Sequence, residues 1–223
     1  MPVDWFRSPS WGDEDVAEFE KRLARSSLFN RPQYLRIKAM ALDDAGLAAA
    51  ADGLLSRVIN EYPDSIFSAP SLERRGDIFR RGGDLIAAEE CYRGVIARRP
   101  DLSVTSGTVP NSLAEVIFEL HGRAAVVEVR SLLNYPQMRL VFNIQMMRAL
   151  VLSARAAEAT GNVELRRSEA QRALDLVTAP SQFTRHPDLG MPRLSENEVI
   201  ELQRLAGPDV TPARQGRRLF RRQ

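Results

Sequence analysis

The sequence predicts an all-α protein of about three to four antiparallel helix pairs. Three observations carry that reading. Apolar residues recur at helical spacing along most of the 223 residues. Prolines and glycines fall between the periodic segments, where the chain reverses. A block of helix-spaced residues also repeats itself after a shift of 37 positions. The one stretch leaning towards β structure, 102–109, is short and rich in Ser, Thr and Gly, and reads as a loop.

The first helix is expected over 13–26. Val16, Phe19 and Leu23 give it one apolar face, and Asp13, Glu14 and Asp15 crowd a first turn whose dipole favours negative charge. Trp5, Phe6 and Trp11 precede it and are expected to close a core edge. The second segment holds the repeat. Leu35, Ala39, Leu42, Gly46, Ala51, Leu55, Val58 and Pro63 fall on Leu72, Gly76, Phe79, Gly83, Ala88, Tyr92, Val95 and Pro100. Ala50 falls on Ala87, Ile59 on Ile96 and Asp64 on Asp101.

Leu35, Ala39 and Leu42 share one helix face at spacings of four and three, and the small middle residue lets a neighbouring helix approach. Gly46 ends that helix in a left-handed conformation. Ala51, Leu55 and Val58 repeat the spacing on a returning helix, with Ala51 facing Ala39, and Pro63 stops it. In the second copy Asp84 stands where it can cap the returning helix.

These positions resemble the tetratricopeptide repeat family. Leu35 and Leu72 match its large opening residue, Ala39 and Gly76 its small one, and Leu42 and Phe79 the large one that follows. Ala51 and Ala88 match the small residue of the second helix, Leu55 and Tyr92 its large one, and Pro63 and Pro100 the terminal proline. Val58 and Val95 stand where a small residue is usual, and Lys38 and Arg75 where leucine is common. The resemblance covers 31–101 and implies an α-α superhelix, a TPR-like solenoid. The extra length over the usual repeat of ~34 is placed in the linker at 65–69.

Beyond a loop at 102–112 the pattern weakens into two degenerate pairs over 113–179. Helices are expected at 113–121 and 124–133, broken at Gly122, then at 139–160 and 163–177 around Gly161-Asn162. Ala170, Leu174 and Val177 restate the spacing of Ala51, Leu55 and Val58. A proline-bearing loop leads to a short helix over 195–206, opened by Ser195 with Glu198 three residues on, a capping box. Gly207-Pro208 ends it, and the tail at 208–223 is expected to be disordered.

Composition narrows the function. Hydrophobic residues make up 44% and charged residues 27%, which suits a globular chain. One cysteine and two histidines leave too few ligands for a disulfide framework or a zinc site. No phosphate-binding glycine loop, Gly-x-Ser-x-Gly elbow or His-Glu-x-x-His occurs. Cys91 reads as a packed thiol, His121 as a helix-end residue and His186 as a loop residue. The expectation is therefore no enzyme, no metal and no cofactor. No secretory leader or membrane span is read, so the cytoplasm is expected and a membrane partner is not.

The resemblance implies that residues between the packing positions of the first helices line a concave groove for a partner peptide or helix. These are Gln33, Arg36, Met40 and Asp43, then Glu73, Asp77, Arg80 and Arg81, joined by Arg148 and Arg155 if the later pair stacks in line. Arg36 and Met40 replace the lysine and asparagine of the family's carboxylate clamp, so capture of a chain-terminal carboxylate is not expected. The expected role is a protein-protein interaction adapter of micromolar affinity, roughly −8 kcal/mol. Two alternatives stay open. Arg214, Arg217, Arg218, Arg221 and Arg222 in the tail could contact nucleic acid or the ribosome through phosphates. Met146-Met147 could bury against a second copy.

Overall fold

The computed structural model describes residues 4–208. Among them every regular element is helical and none is a strand. The chain divides into two compact units, Met1–Val109 and Pro110–Gln223.

The first unit holds α1 (Asp13–Arg25), α2 (Arg31–Asp44), α3 (Ala48–Glu61), α4 (Ser68–Gly82) and α5 (Leu85–Arg98). α2 packs on α3, α3 on α4 and α4 on α5, so two helical hairpins lie side by side. Leu35, Ala39, Leu42, Ala51, Leu55 and Val58 are fully buried. Of their counterparts, Leu72, Gly76, Ala88, Tyr92 and Val95 are buried, while Phe79 is half-exposed beneath the Arg75 guanidinium, 5.3 Å from its ring centre. Gly46 and Gly83 take φ of 83° and 84°, the left-handed turn that glycine permits. Asp84 caps α5 by accepting the Ala87 N–H at 3.0 Å. The linker between the hairpins spans 62–67, and Ser68 and Ala69 already belong to α4.

The two hairpins solve the same contact differently. A Cβ on Gly76 would lie 2.7 to 3.0 Å from three ring atoms of Tyr92, so α4 can approach α5 only without a side chain there. At the same two positions the first hairpin carries Ala39 and Leu55. A methyl is regained where the aromatic ring is absent.

Lys38 and Arg75, the charged residues at leucine positions, each make long-range contacts. Lys38 is 2% exposed. Its ammonium donates to the backbone oxygens of Ser8 at 2.6 Å and Ser10 at 2.9 Å and sits 5.2 Å from the Trp11 ring centre. It thereby fastens the aromatic segment to the core. Burial holds its pKa below the usual lysine value, against the opposing pull of Asp15. Trp5, Phe6 and Trp11 pack with Phe19 and Tyr34 at that edge, as expected, with Phe6 stacked on Tyr34 at 4.8 Å. Arg75 forks onto Asp52 of α3 at 2.5 and 3.4 Å, linking the hairpins.

The second unit holds α6 (Val109–His121), a 3-10 turn (Gly122–Ala125), α7 (Val126–Leu133), α8 (Asn143–Ala159), α9 (Val163–Thr178) and α10 (Glu196–Ala206). α6 starts four residues before the expected 113, with Pro110 at its second position, where a missing N–H costs nothing. α8 starts four residues after the expected 139. The Gln145 side chain accepts the N–H groups of Val141 and Phe142 at 2.9 and 3.0 Å, which fixes the start at Asn143. α8 and α9 form the main hairpin, turned by Gly161 at φ 75° and capped by Asn162, whose side chain accepts the Leu165 N–H.

α10 packs on both α8 and α9, with Leu202 and Leu205 buried against Ala154, Ala170 and Ala173. Ser195 and Glu198 form the expected capping box. Two forked pairs hold α10 to α8: Arg155 to Glu201 at 3.0 and 2.8 Å, and Arg204 to Glu158 at 2.6 and 3.0 Å.

Glu198 is held below the ordinary glutamate value of 4.5 by the Ser195 N–H and hydroxyl, and Glu158 by Arg204. A depressed carboxylate stabilises the fold above its unfolded value and loses that contribution as pH falls below about 4.5. Both groups are solvent-exposed, so the effect is small, about 2 °C in Tm. Melting of wild type and of Glu158→Gln/Glu198→Gln should therefore converge as pH drops from about 6 to about 3.

Candidate functional site

The residues expected to line a groove fall into two groups, those on α2 and α4 of the first unit and those on α8 of the second. Gln33 is exposed and Met40 half-buried. Asp43 is turned inward, its side chain 2% exposed, and meets Arg74 and Arg81 at 2.5 Å each. Arg74 also reaches Asp44 at 2.7 Å. The Asp43 and Arg81 charges thus tie α2 to α4 rather than face an open groove.

Glu73 accepts the backbone N–H and the hydroxyl of Ser106, pinning the loop after α5 onto α4. Burial pushes its carboxyl up, the Ser106 hydrogen bonds oppose this, Asp77 adds to it and Arg36 draws it back. Asp77 accepts the Tyr92 hydroxyl at 2.7 Å. Arg36 lies half-buried, its Nε without a hydrogen-bond partner, and burial lowers its pKa while Glu73 raises it. Arg80 is half-buried in the last turn of α4.

In the second unit Arg148 forks onto Glu115 of α6, and Arg155 is the α10 clamp already described. Most of the expected groove charges are therefore joined to partners in their own unit. The reason is physical. Charges between the packing positions of neighbouring helices lie within reach of each other, and Arg forks onto carboxylates readily.

Cys91 is buried, which raises its thiol, with Arg75 pulling the other way. His121 ends α6 and His186 is exposed on the loop after α9. Among the described residues no three His, Cys, Asp or Glu side chains gather as metal ligands. No described helix is long and apolar enough to cross a membrane. Arg214, Arg217, Arg218, Arg221 and Arg222, with the rest of the tail from 209, lie outside the described residues.

A different site stands open. α7, the segment before α8, α8 and α9 enclose a trough of about 710 Å³. Leu133, Leu140, Met146, Leu150, Leu165 and Leu176 supply its apolar surface. Arg130, Glu169, Arg172 and Asp175 stand on its rim. Those rim groups are already partnered: Arg172 with Glu169 at 2.9 Å, Asp175 with Gln171 at 2.9 Å, and Arg130 with Thr160 at 3.3 Å. The trough can therefore bury apolar side chains without stranding a charge. Its volume falls within the usual range of ligand sites, about 300 to 1,000 Å³.

A sequence signal for it exists in α8. Met147, Ala154 and Ala157 form a buried face, yet Met146, Ala149, Leu150 and Ser153 run along a second one. A helix apolar on more than one face needs a second neighbour.

A scan of protein-family models, a search of curated proteins and a search of solved structures each return no match.

Proposed function

We propose that this chain is a non-enzymatic interaction scaffold that holds an apolar segment of a partner protein. The observation that carries the reading is the trough on α7, α8 and α9, apolar within and internally paired at its rim. An amphipathic helix laying two or three large side chains into it would use a recurrent mode of peptide recognition. The first unit supports the same class of function. Its two hairpins bury equivalent residues at the same spacing, as a tetratricopeptide-like array would. The groove of such an array, with Arg36, Met40, Glu73 and Asp77, is the less supported surface because its acids are tied to Ser106 and Tyr92.

Selection from a displayed library of random peptides tests this. Enriched peptides should share apolar residues at helical spacing. Their affinity should fall about tenfold or more with Ala149→Phe, which fills the trough, and with Met146→Lys, which places a charge in it. Far-UV circular dichroism controls for folding. Peptides that bind both folded variants as well as wild type would remove the trough from the account.

A further inference from the structure

One end of the first unit is unlike the rest of its surface. In antiparallel hairpins the starts of α2 and α4 and the finishes of α3 and α5 lie at the same end. The connections 26–30, 62–67 and 99–108 therefore share that end. Each presents a large apolar side chain to solvent: Phe29 is 86% exposed, Ile66 55% and Val104 52%, with Leu28 beside Phe29 also exposed. Phe29 and Ile66 are separated by 37 positions, the repeat itself, so the exposure recurs from hairpin to hairpin.

Val104 is the most telling of these. It has φ 60°, a left-handed conformation that a β-branched residue adopts only at a cost. The loop holds it there: Leu102 is buried as an anchor, the Thr105 hydroxyl donates to the Leu102 oxygen at 2.7 Å, and Ser106 is bound to Glu73. The strain presents Val104 outward.

The same end is electropositive. Arg25, Arg31, Arg98 and Arg99 flank the tips. The first turns of α2 and α4 contain no acid and no side-chain cap, so the positive poles of both helices are left uncovered. Acids at this end are fewer: Asp64, Asp101 and Glu61, of which Asp101 is engaged by Ser103 and Glu61 by Arg57.

We propose that this end of the first unit docks on an anionic phospholipid surface, inserting Leu28, Phe29, Ile66 and Val104 among the headgroups. Protruding tips on three separate loops suit a fluid layer, whereas a rigid partner would need a matching hole for each. Basic side chains and helix poles complement lipid phosphates. The sequence alone predicts no membrane partner because that expectation looks for a span, and interfacial docking needs none. The proposal is independent of the trough, which lies in the second unit.

Sedimentation of the full chain with phosphatidylcholine vesicles, with and without one third phosphatidylserine, tests it. The chain should pellet with the anionic vesicles and release as salt rises. Phe29→Ser/Ile66→Ser, both at exposed sites, should keep the circular dichroism spectrum and bind about tenfold more weakly or worse. Wild type that stays in the supernatant overturns the proposal. So does undiminished binding by the double variant, which would assign adhesion to another basic segment. A Phe29-dependent dimer in sedimentation velocity with no lipid binding would also overturn it, and would make the tips a contact between copies.

Discussion

Tyr92→Ala should cost about 3–5 kcal/mol in urea unfolding, because a fully buried ring is lost and the cavity cannot close. The sharper test lies in its neighbour. Gly76→Ala in the wild type drives a methyl to within 2.7 Å of the ring and should destabilise by about 1–2 kcal/mol. That figure is net of the alanine's better helix propensity. In a Tyr92→Leu background the same Gly76→Ala should stabilise by about 0.5–1 kcal/mol, since the obstruction is gone and only propensity remains. The first hairpin already carries that pair as Ala39 and Leu55. A change of sign between the two backgrounds is the expected result. Destabilisation in both would mean that the hairpins do not share one packing rule.

The second large effect is expected at Lys38. Lys38→Ala removes two hydrogen bonds to backbone oxygens, a cation over Trp11 and a buried stem, together worth about 2–4 kcal/mol. The loss should fall first on the segment before α1. Trp5 and Trp11 are the only tryptophans of the chain and both lie in that segment, so their fluorescence reports on it directly. The emission should shift to the red in Lys38→Ala at denaturant concentrations where far-UV circular dichroism is still that of the folded chain. Lys38→Arg, with its charge kept but its head planar and larger, should show part of the shift. Emission that moves only together with the helical signal would mean that Lys38 is no separate fastener.

Much of the first unit can be read without coordinates. Gly46 and Gly83, Pro63 and Pro100, and the spacing of Leu35, Ala39 and Leu42 are local signals, and the helices turn where these residues stand. What escapes such a reading depends on distant partners. Lys38 and Arg75 look like surface charges at a hydrophobic position until Ser8, Ser10 and Asp52 are seen beside them. Asp43 reads as a groove residue because nothing near it in the chain announces Arg74 or Arg81. Periodicity starts α8 too early because 139–142 is apolar enough to extend the pattern, and only the Gln145 side chain decides against it. The trough is hidden in a helix with two apolar faces. The exposed loop tips are hidden because short loops show no periodicity from which exposure could be inferred.

α10 also determines how long the second unit can be. Its Leu202 and Leu205 occupy the seat on α8 and α9 that a further hairpin would take, and its arginine and glutamate forks lock that seat. A chain ended before Ser195 would bare a ready-made mating edge of Ala154, Ala170 and Leu174. Grafting extra hairpins onto this protein would begin by replacing α10, and any tag at the C-terminus is best joined beyond it.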